Sequence, residues 1–248
     1  MLLESKNAIV YGAAGAIGGA VARAFARDGA RVFLAGRTLG PLADVAADIR
    51  AQGGVAEAAQ VDALDKAAVD AHAESVVSAA ARIDVSFNAV GVPALQGVAL
   101  TEMSVEDFLA PITGLCLTNF LTATAAARHM VTQGAGVIVT LSASSAKETR
   151  HQTGGFGLAN AAIEALTRGM AGEYGRSGVR VVGMRANFTP ETYPGMTDEN
   201  LAPLLNNTTL GRLPRLTELA GTAVYLASDG AGAVSGAMVN LTCGAIVD

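Results

Sequence analysis

Short apolar runs alternate with longer amphipathic stretches along the whole chain. Asn7 to Val10, Arg31 to Ala35, Val55 to Val61, Val85 to Ala89, Val137 to Leu141, Val179 to Met184 and Met238 to Leu241 read as strands, apolar on both faces as a parallel sheet requires. Between them lie helix-length segments: Ile17 to Asp28, Leu39 to Gln52, Lys66 to Ala80, Val105 to Thr132, Leu158 to Tyr174 and Leu216 to Ser228. A strict β and α alternation implies right-handed crossovers. The predicted fold is therefore α/β, a doubly wound seven-stranded parallel sheet of Rossmann type with helices on both faces. No linker or internal repeat divides residues 1–248, so a single domain is expected. The longest irregular stretch, Ala186 to Leu213, carries three prolines and reads as a lid-like substrate loop.

Composition narrows the function. With 51% hydrophobic and 16% charged residues the chain is no solvated coil. A net charge of −5 without a basic cluster argues against a nucleic-acid footprint, which makes a small molecule the expected partner. The two cysteines, Cys116 and Cys243, lie far apart and read as reduced thiols of a cytoplasmic protein. The three histidines, His72, His129 and His151, show no metal-ligand spacing, so no metal site is expected. The N-terminus lacks the pattern of a signal peptide. Phe108 to Ala127 carries no charge over a membrane-spanning length, but Pro111, Gly114, Asn119 and several threonines interrupt it. It reads as a helix buried between subunits rather than in a bilayer.

The strongest chemical signal follows the first strand, where Tyr11-Gly12-Ala13-Ala14-Gly15-Ala16-Ile17-Gly18-Gly19 runs straight into a helix. Glycines at these points let the chain turn tightly, bring backbone amides to a pyrophosphate and seat the helix close to the strand. Gly12, Ala14, Gly15, Ile17 and Gly18 are thus candidate dinucleotide ligands, and the βαβ context makes the glycine pattern specific. At the end of the second strand, Arg37 and Thr38 offer a guanidinium and a hydroxyl where an acidic residue would bind a free ribose. That favours NADP(H) as the cofactor. Asp62, after the third strand, reads equally as a contact for the adenine amino group or as the cap of the next helix.

With these residues in place the chain resembles the short-chain dehydrogenase/reductases over nearly its whole length. The glycine turn, Asp62, Asn88-Ala89-Val90-Gly91, the Ala125 to Met130 helix, the Ala161 to Arg168 helix and the stretches Ser228-Asp229 and Ser235-Gly236 follow that family's order. The resemblance implies a cofactor across the C-terminal edge of the sheet, touching Asn88, Ala89 and Gly91. It also implies a homodimer or homotetramer paired through helices near residues 115–130 and 159–170.

The family's chemistry rests on Asn, Ser, Tyr and Lys, and by resemblance these positions fall near Leu115, with Asn119 one helical turn away, on Ala143, with Ser142 and Ser144 on either side, and on Phe156 and Asn160. Phe156 has no ionisable hydrogen and Asn160 no charge, so an ordinary general-acid route to an alcohol is not expected. Three readings remain. The protein transfers hydride to an acceptor needing no strong acid, such as an imine or an activated double bond. Alternatively, Ser144, Lys147 or His151 on the loop after the fifth strand, or Tyr193 on the lid, supplies the proton in ordinary ketone chemistry. In the third, the chain is a silent NADP-binding or partner protein. The first is the expectation carried forward.

Overall fold

A computed structural model describes residues 1–148 and 152–248. Seven strands form one sheet: β1 (Asn7–Tyr11), β2 (Arg31–Gly36), β3 (Val55–Gln60), β4 (Val85–Asn88), β5 (Gly136–Ala143), β6 (Val179–Ala186) and β7 (Met238–Leu241). Their order is β3-β2-β1-β4-β5-β6-β7, every neighbouring pair parallel. The helices are α1 (Ala16–Arg27), α2 (Leu39–Ala51), α3 (Lys66–Ala80), α4 (Val105–Gln133), α5 (Gly154–Tyr174), α6 (Asp198–Asn206) and α7 (Leu216–Ala227).

Each face of the sheet is buried by its own apolar layer. On one side Val10, Val32, Leu34 and Val182 meet Val21 and Phe25 of α1, Leu42 and Ile49 of α2 and Leu219 and Ala223 of α7. On the other, Ile9, Phe33, Ile138 and Val181 meet Val69 and Val76 of α3, Ala123 and Ala127 of α4 and Met170 of α5. Strand order reverses between β1 and β4, and such a switch point opens a crevice at the C-terminal ends of the strands. Gly12 and Ala89 stand on its two sides.

Two expectations are corrected. β3 and β7 are not buried on both faces: they are the sheet's edges, and Val55 and Glu57 are exposed. The stretch 187–213 is not a bare loop, since α6 forms within it behind Thr197, whose hydroxyl accepts from the Asn200 amide at 3.4 Å. α5 also begins four residues earlier than Leu158. Its glycines permit this: a Cβ on Gly155 would stand 1.8 Å from the Phe108 carbonyl oxygen of α4. Helix α4, uncharged from Phe108 to Ala127, has the length and apolarity to cross a membrane, yet 50% of its most apolar window is buried within this fold.

Candidate cofactor and active site

The glycine turn joins the ends of three strands. Gly12 donates its amide to the Ala35 carbonyl of β2 at 2.8 Å, and Ala89 beyond β4 donates to the Tyr11 carbonyl at 2.9 Å. Gly12 has φ +74°, and a Cβ there would lie 2.6 Å from the Ala89 oxygen. One on Gly18 would lie 2.3 Å from the Gly12 oxygen, so α1 reaches the turn only without side chains between them. Gly15 is the N-cap of α1, and no side chain caps that helix. Ala14, Gly15 and Ala16 are exposed and Ile17 is half-buried on the core. An uncapped, open helix N-terminus behind a side-chain-free turn fits the pyrophosphate of a dinucleotide.

Beside it, Arg37 and Thr38 are exposed at the end of β2. Arg37 has no ion-pair partner among the described residues, and Thr38 is the N-cap of α2 without using its hydroxyl as a cap. Both remain available to an anion. The ambiguity at Asp62 resolves against capping. Asp65 is the cap of α3, accepting from the amides of Ala67 and Ala68 at 2.8 and 3.2 Å, while exposed Asp62 accepts only the Leu64 amide at 3.0 Å. Asn88 is different: its amide nitrogen donates to Thr122 Oγ1 at 2.9 Å, and its oxygen accepts the Val90 amide at 2.9 Å. Its side chain thus ties the turn after β4 to α4, and the open surface there belongs to half-buried Ala89 and exposed Gly91.

The other half of the crevice lies over β5, α5 and the end of β6. Phe156 is half-buried against an apolar cluster of Leu115, Ala159 and Ile163, edged by Val92 and Ile112. Asn160, 3% exposed, donates to the Phe156 carbonyl at 2.8 Å and to Ser145 Oγ at 3.3 Å. Asn119 turns back on its own helix, donating to the Leu115 carbonyl at 2.9 Å. Ser144 begins a 3-10 turn and donates its hydroxyl to Asn187 Oδ1 at 3.1 Å, an atom that also accepts the Phe188 amide at 2.8 Å. Its only hydrogen is therefore directed away from an acceptor. Tyr193 is 53% exposed and stacks on Phe188, centroids 4.6 Å apart and planes 14° apart. Lys147, a candidate proton donor of the loop after β5, is ion-paired with Asp248. His151 lies outside the described residues.

A separate cavity of about 500 Å³ opens at the opposite, N-terminal edge of the sheet. Its charges satisfy one another: Lys6 pairs with Asp229 at 2.9 Å and Arg82 with Asp84 at 2.7 Å, while Arg180 donates to the Leu226, Ser228 and Val234 carbonyls. It is remote from the glycine turn and plays no part in the site.

Comparison with known proteins shows the family. Residues 12–245 match the family model described as enoyl-(acyl carrier protein) reductase. A 7alpha-hydroxysteroid dehydrogenase of Clostridium sardiniense is 32% identical over 242 residues, covering 94% of this chain and 90% of that protein. The chain belongs to the short-chain dehydrogenase/reductases.

It is accordingly related to NAD(P)-dependent oxidoreductases on small molecules. The crystal structure of a gluconate 5-dehydrogenase from Burkholderia cenocepacia J2315, in complex with NADP and tartrate, superposes with a TM-score of 0.90 at 25% identity, covering 98% of this chain and 96% of that one. A 7 alpha-hydroxysteroid dehydrogenase complexed with NADH and 7-oxo glycochenodeoxycholic acid gives 0.88 at 25% identity, covering 99% and 96%. Both dinucleotides thus occur among this short-chain dehydrogenase/reductase's structural neighbours. Two contacts of its site rest on tertiary packing. Asn187, which anchors Ser144, carries no local signal. Leu115 and Phe156 lie forty-one positions apart on different helices, and only packing of α4 against α5 joins them.

Proposed function

We propose that this short-chain dehydrogenase/reductase is an NADP(H)-dependent reductase whose acceptor takes hydride without an acid from the protein: an imine or a double bond conjugated to a carbonyl. The observation that carries the proposal is the apolar cluster in which Phe156 and Leu115 meet, with Asn160 held against the Phe156 carbonyl. These are the positions to which the family resemblance assigns tyrosine, asparagine and lysine, and none of the chain's four tyrosines is followed four residues later by lysine. A protein acid contributes about 10²- to 10⁴-fold to such chemistry. An acceptor that is already cationic, or whose charge moves to an oxygen protonated by solvent, does without one. The description of the matching family, an enoyl reductase, supports the second class.

When bound, the nicotinamide supplies the hydride. The residues of this chain hold and orient it: the Gly12 to Gly18 turn and the N-terminus of α1 take the pyrophosphate, Arg37 and Thr38 the 2′-phosphate, and Asp62 the adenine amine. The backbone of Ala89 and Gly91 lines the ribose side. Ser144 and Asn160 act as fixed walls, their polar hydrogens engaged within the protein.

The acceptor pocket favours an apolar, uncharged molecule over a polyhydroxylated acid. Phe156, Val92 and Ile112 form one wall, and the Phe188–Tyr193 stack stands on the lid-like segment after β6. The cations Lys147 and Arg185 are both paired with carboxylates. Exposed Leu109, Leu117 and Phe120 on α4 and Leu158 on α5 support pairing of subunits through these helices, as a homodimer or homotetramer. The free thiols of Cys116 and Cys243 support a cytoplasmic location.

The test is a fluorescence titration with NADPH and NADH, followed by NADPH oxidation with panels of ketones, enones and cyclic imines. Enone or imine turnover well above ketone turnover is expected. Failure to bind either dinucleotide, or rapid ketone reduction, would overturn the reading.

A further inference from the structure

Between α5 and the sheet, a polar seam interrupts an apolar interior. Ser142 on β5 and Arg185 on β6 are cross-strand partners, and Glu164 on α5 meets them both. Ser142 Oγ donates to Glu164 Oε1 at 3.1 Å, and Arg185 Nε and Nη2 donate to Oε1 and Oε2 at 2.6 and 2.8 Å. Ser142 and Arg185 are 2% exposed and Glu164 5%. The remaining Arg185 nitrogen, Nη1, binds the Asp248 carboxylate, which also holds Lys147. Ser142 Oγ further lies 3.4 Å from the Asn160 carbonyl oxygen.

Each member of this network is one or two residues, or one helical turn, from the crevice. Ser142 precedes Ala143 and Ser144. Arg185 precedes Ala186 and Asn187. Glu164 lies one turn after Asn160, and Lys147 closes the 3-10 turn that begins at Ser144. The Ser144–Asn187 hydrogen bond spans the ends of the same two strands whose Ser142 and Arg185 both meet Glu164 of α5 below it. For stability alone this is a poor arrangement, because desolvating two charges offsets much of their attraction and apolar residues of like volume commonly serve as well. What a bidentate guanidinium–carboxylate pair adds is direction.

We propose that Glu164 and Arg185 are positioning residues. Through one buried, two-pronged contact they fix where the Asn160 turn of α5 sits over the ends of β5 and β6, and so the walls between which the nicotinamide end of the cofactor lies. The proposal rests on the cofactor reading above, but its first test does not.

The experiment uses the full-length chain carrying Glu164→Leu with Arg185→Met, which removes the pair without leaving a buried charge. Hydrogen exchange of the amides in 142–148 and 186–189 is expected to rise roughly tenfold, with β1 to β4 unchanged. In fluorescence titrations, NADPH is expected to bind roughly tenfold more weakly. Binding of 2′-phospho-ADP-ribose, which lacks the nicotinamide, is expected to hold. Unchanged exchange in the two segments overturns the proposal. So does a uniform rise in exchange with equal weakening of both ligands, which marks a purely structural pair. Should the double variant not fold, Glu164→Gln keeps the shape and removes the charge, and the same two outcomes decide. If the unmodified chain binds neither ligand, the cofactor reading alone fails and hydrogen exchange still decides this one.

Discussion

Protonating His72 opposes folding by an amount that can be worked out. The imidazole lies on α3, 7% exposed, its ring edge-on to Tyr11 with centroids 5.8 Å apart and planes at 77°. Its Nδ1 has no hydrogen-bond partner among the described residues, and neither does the Tyr11 hydroxyl, which burial holds un-ionised. Burial pushes the His72 pKa down to about 4. In the unfolded chain it returns to about 6.5. The folded state therefore favours the neutral ring, and stability is full above the unfolded value and falls as the pH drops from about 6.5 towards 4. Between pH 7.5 and 5.0 the linkage amounts to about 2 kcal/mol, rising to about 3 kcal/mol below the folded pKa. Other groups titrate over the same range, so the comparison is with His72→Phe, which keeps a ring against Tyr11 and cannot take a proton. Urea denaturation of both proteins at pH 7.5 and 5.0 is the assay. The parent should lose about 2 kcal/mol more than the variant. Equal losses, or an imidazole NMR resonance for His72 titrating near 6.5, would refute the argument from burial.

Three further outcomes follow from the crevice. Gly18→Ala, whose Cβ meets the Gly12 oxygen at 2.3 Å, should cost about 1–3 kcal/mol in a thermal melt and weaken NADPH binding; a variant matching the parent in both would mean the turn has room to spare. Arg37→Ala should weaken NADPH about 10- to 100-fold and leave NADH unchanged, as expected for one charge-assisted contact to a 2′-phosphate, and an equal effect on both dinucleotides would remove Arg37 from the site. Phe156→Tyr with Asn160→Lys should raise ketone reduction about 10²-fold, measured by NADPH absorbance. No gain would mean that these residues do not stand in the tyrosine and lysine positions, or that Ala143 and Leu115 must change with them.

The parts of this protein legible in its sequence are those that local geometry decides. The β and α alternation fixes layers and handedness, because crossovers of a twisted parallel sheet close one way. The Gly12 to Gly18 turn is equally local: a positive φ and a missing Cβ are properties of single residues, whatever surrounds them. α6 is missed: Thr197 before Asp198 and Glu199 is a helix-start signal, but the prolines around it make the segment read as a loop. Asp65 rather than Asp62 caps α3, also a local outcome, because it stands directly before the helix and within reach of the Ala67 and Ala68 amides. Elsewhere tertiary structure chose. α5 starts at Gly154 against glycine's low helix propensity, because close contact with α4 at Gly155 outweighs it. β3 is an exposed edge because nothing lies beyond it in the strand order.

Other contacts have no local sequence signal. Leu115 meeting Phe156, Ser144 held by Asn187, and Glu164 clasping Arg185 join residues from different elements whose spacing along the chain is arbitrary. The sequence by itself determined the scaffold and the turn that receives a dinucleotide, since backbone sterics and apolar periodicity act over a few residues. Only the tertiary structure decided how the reacting end of the crevice is walled and held, since that depends on which side chains packing brings together.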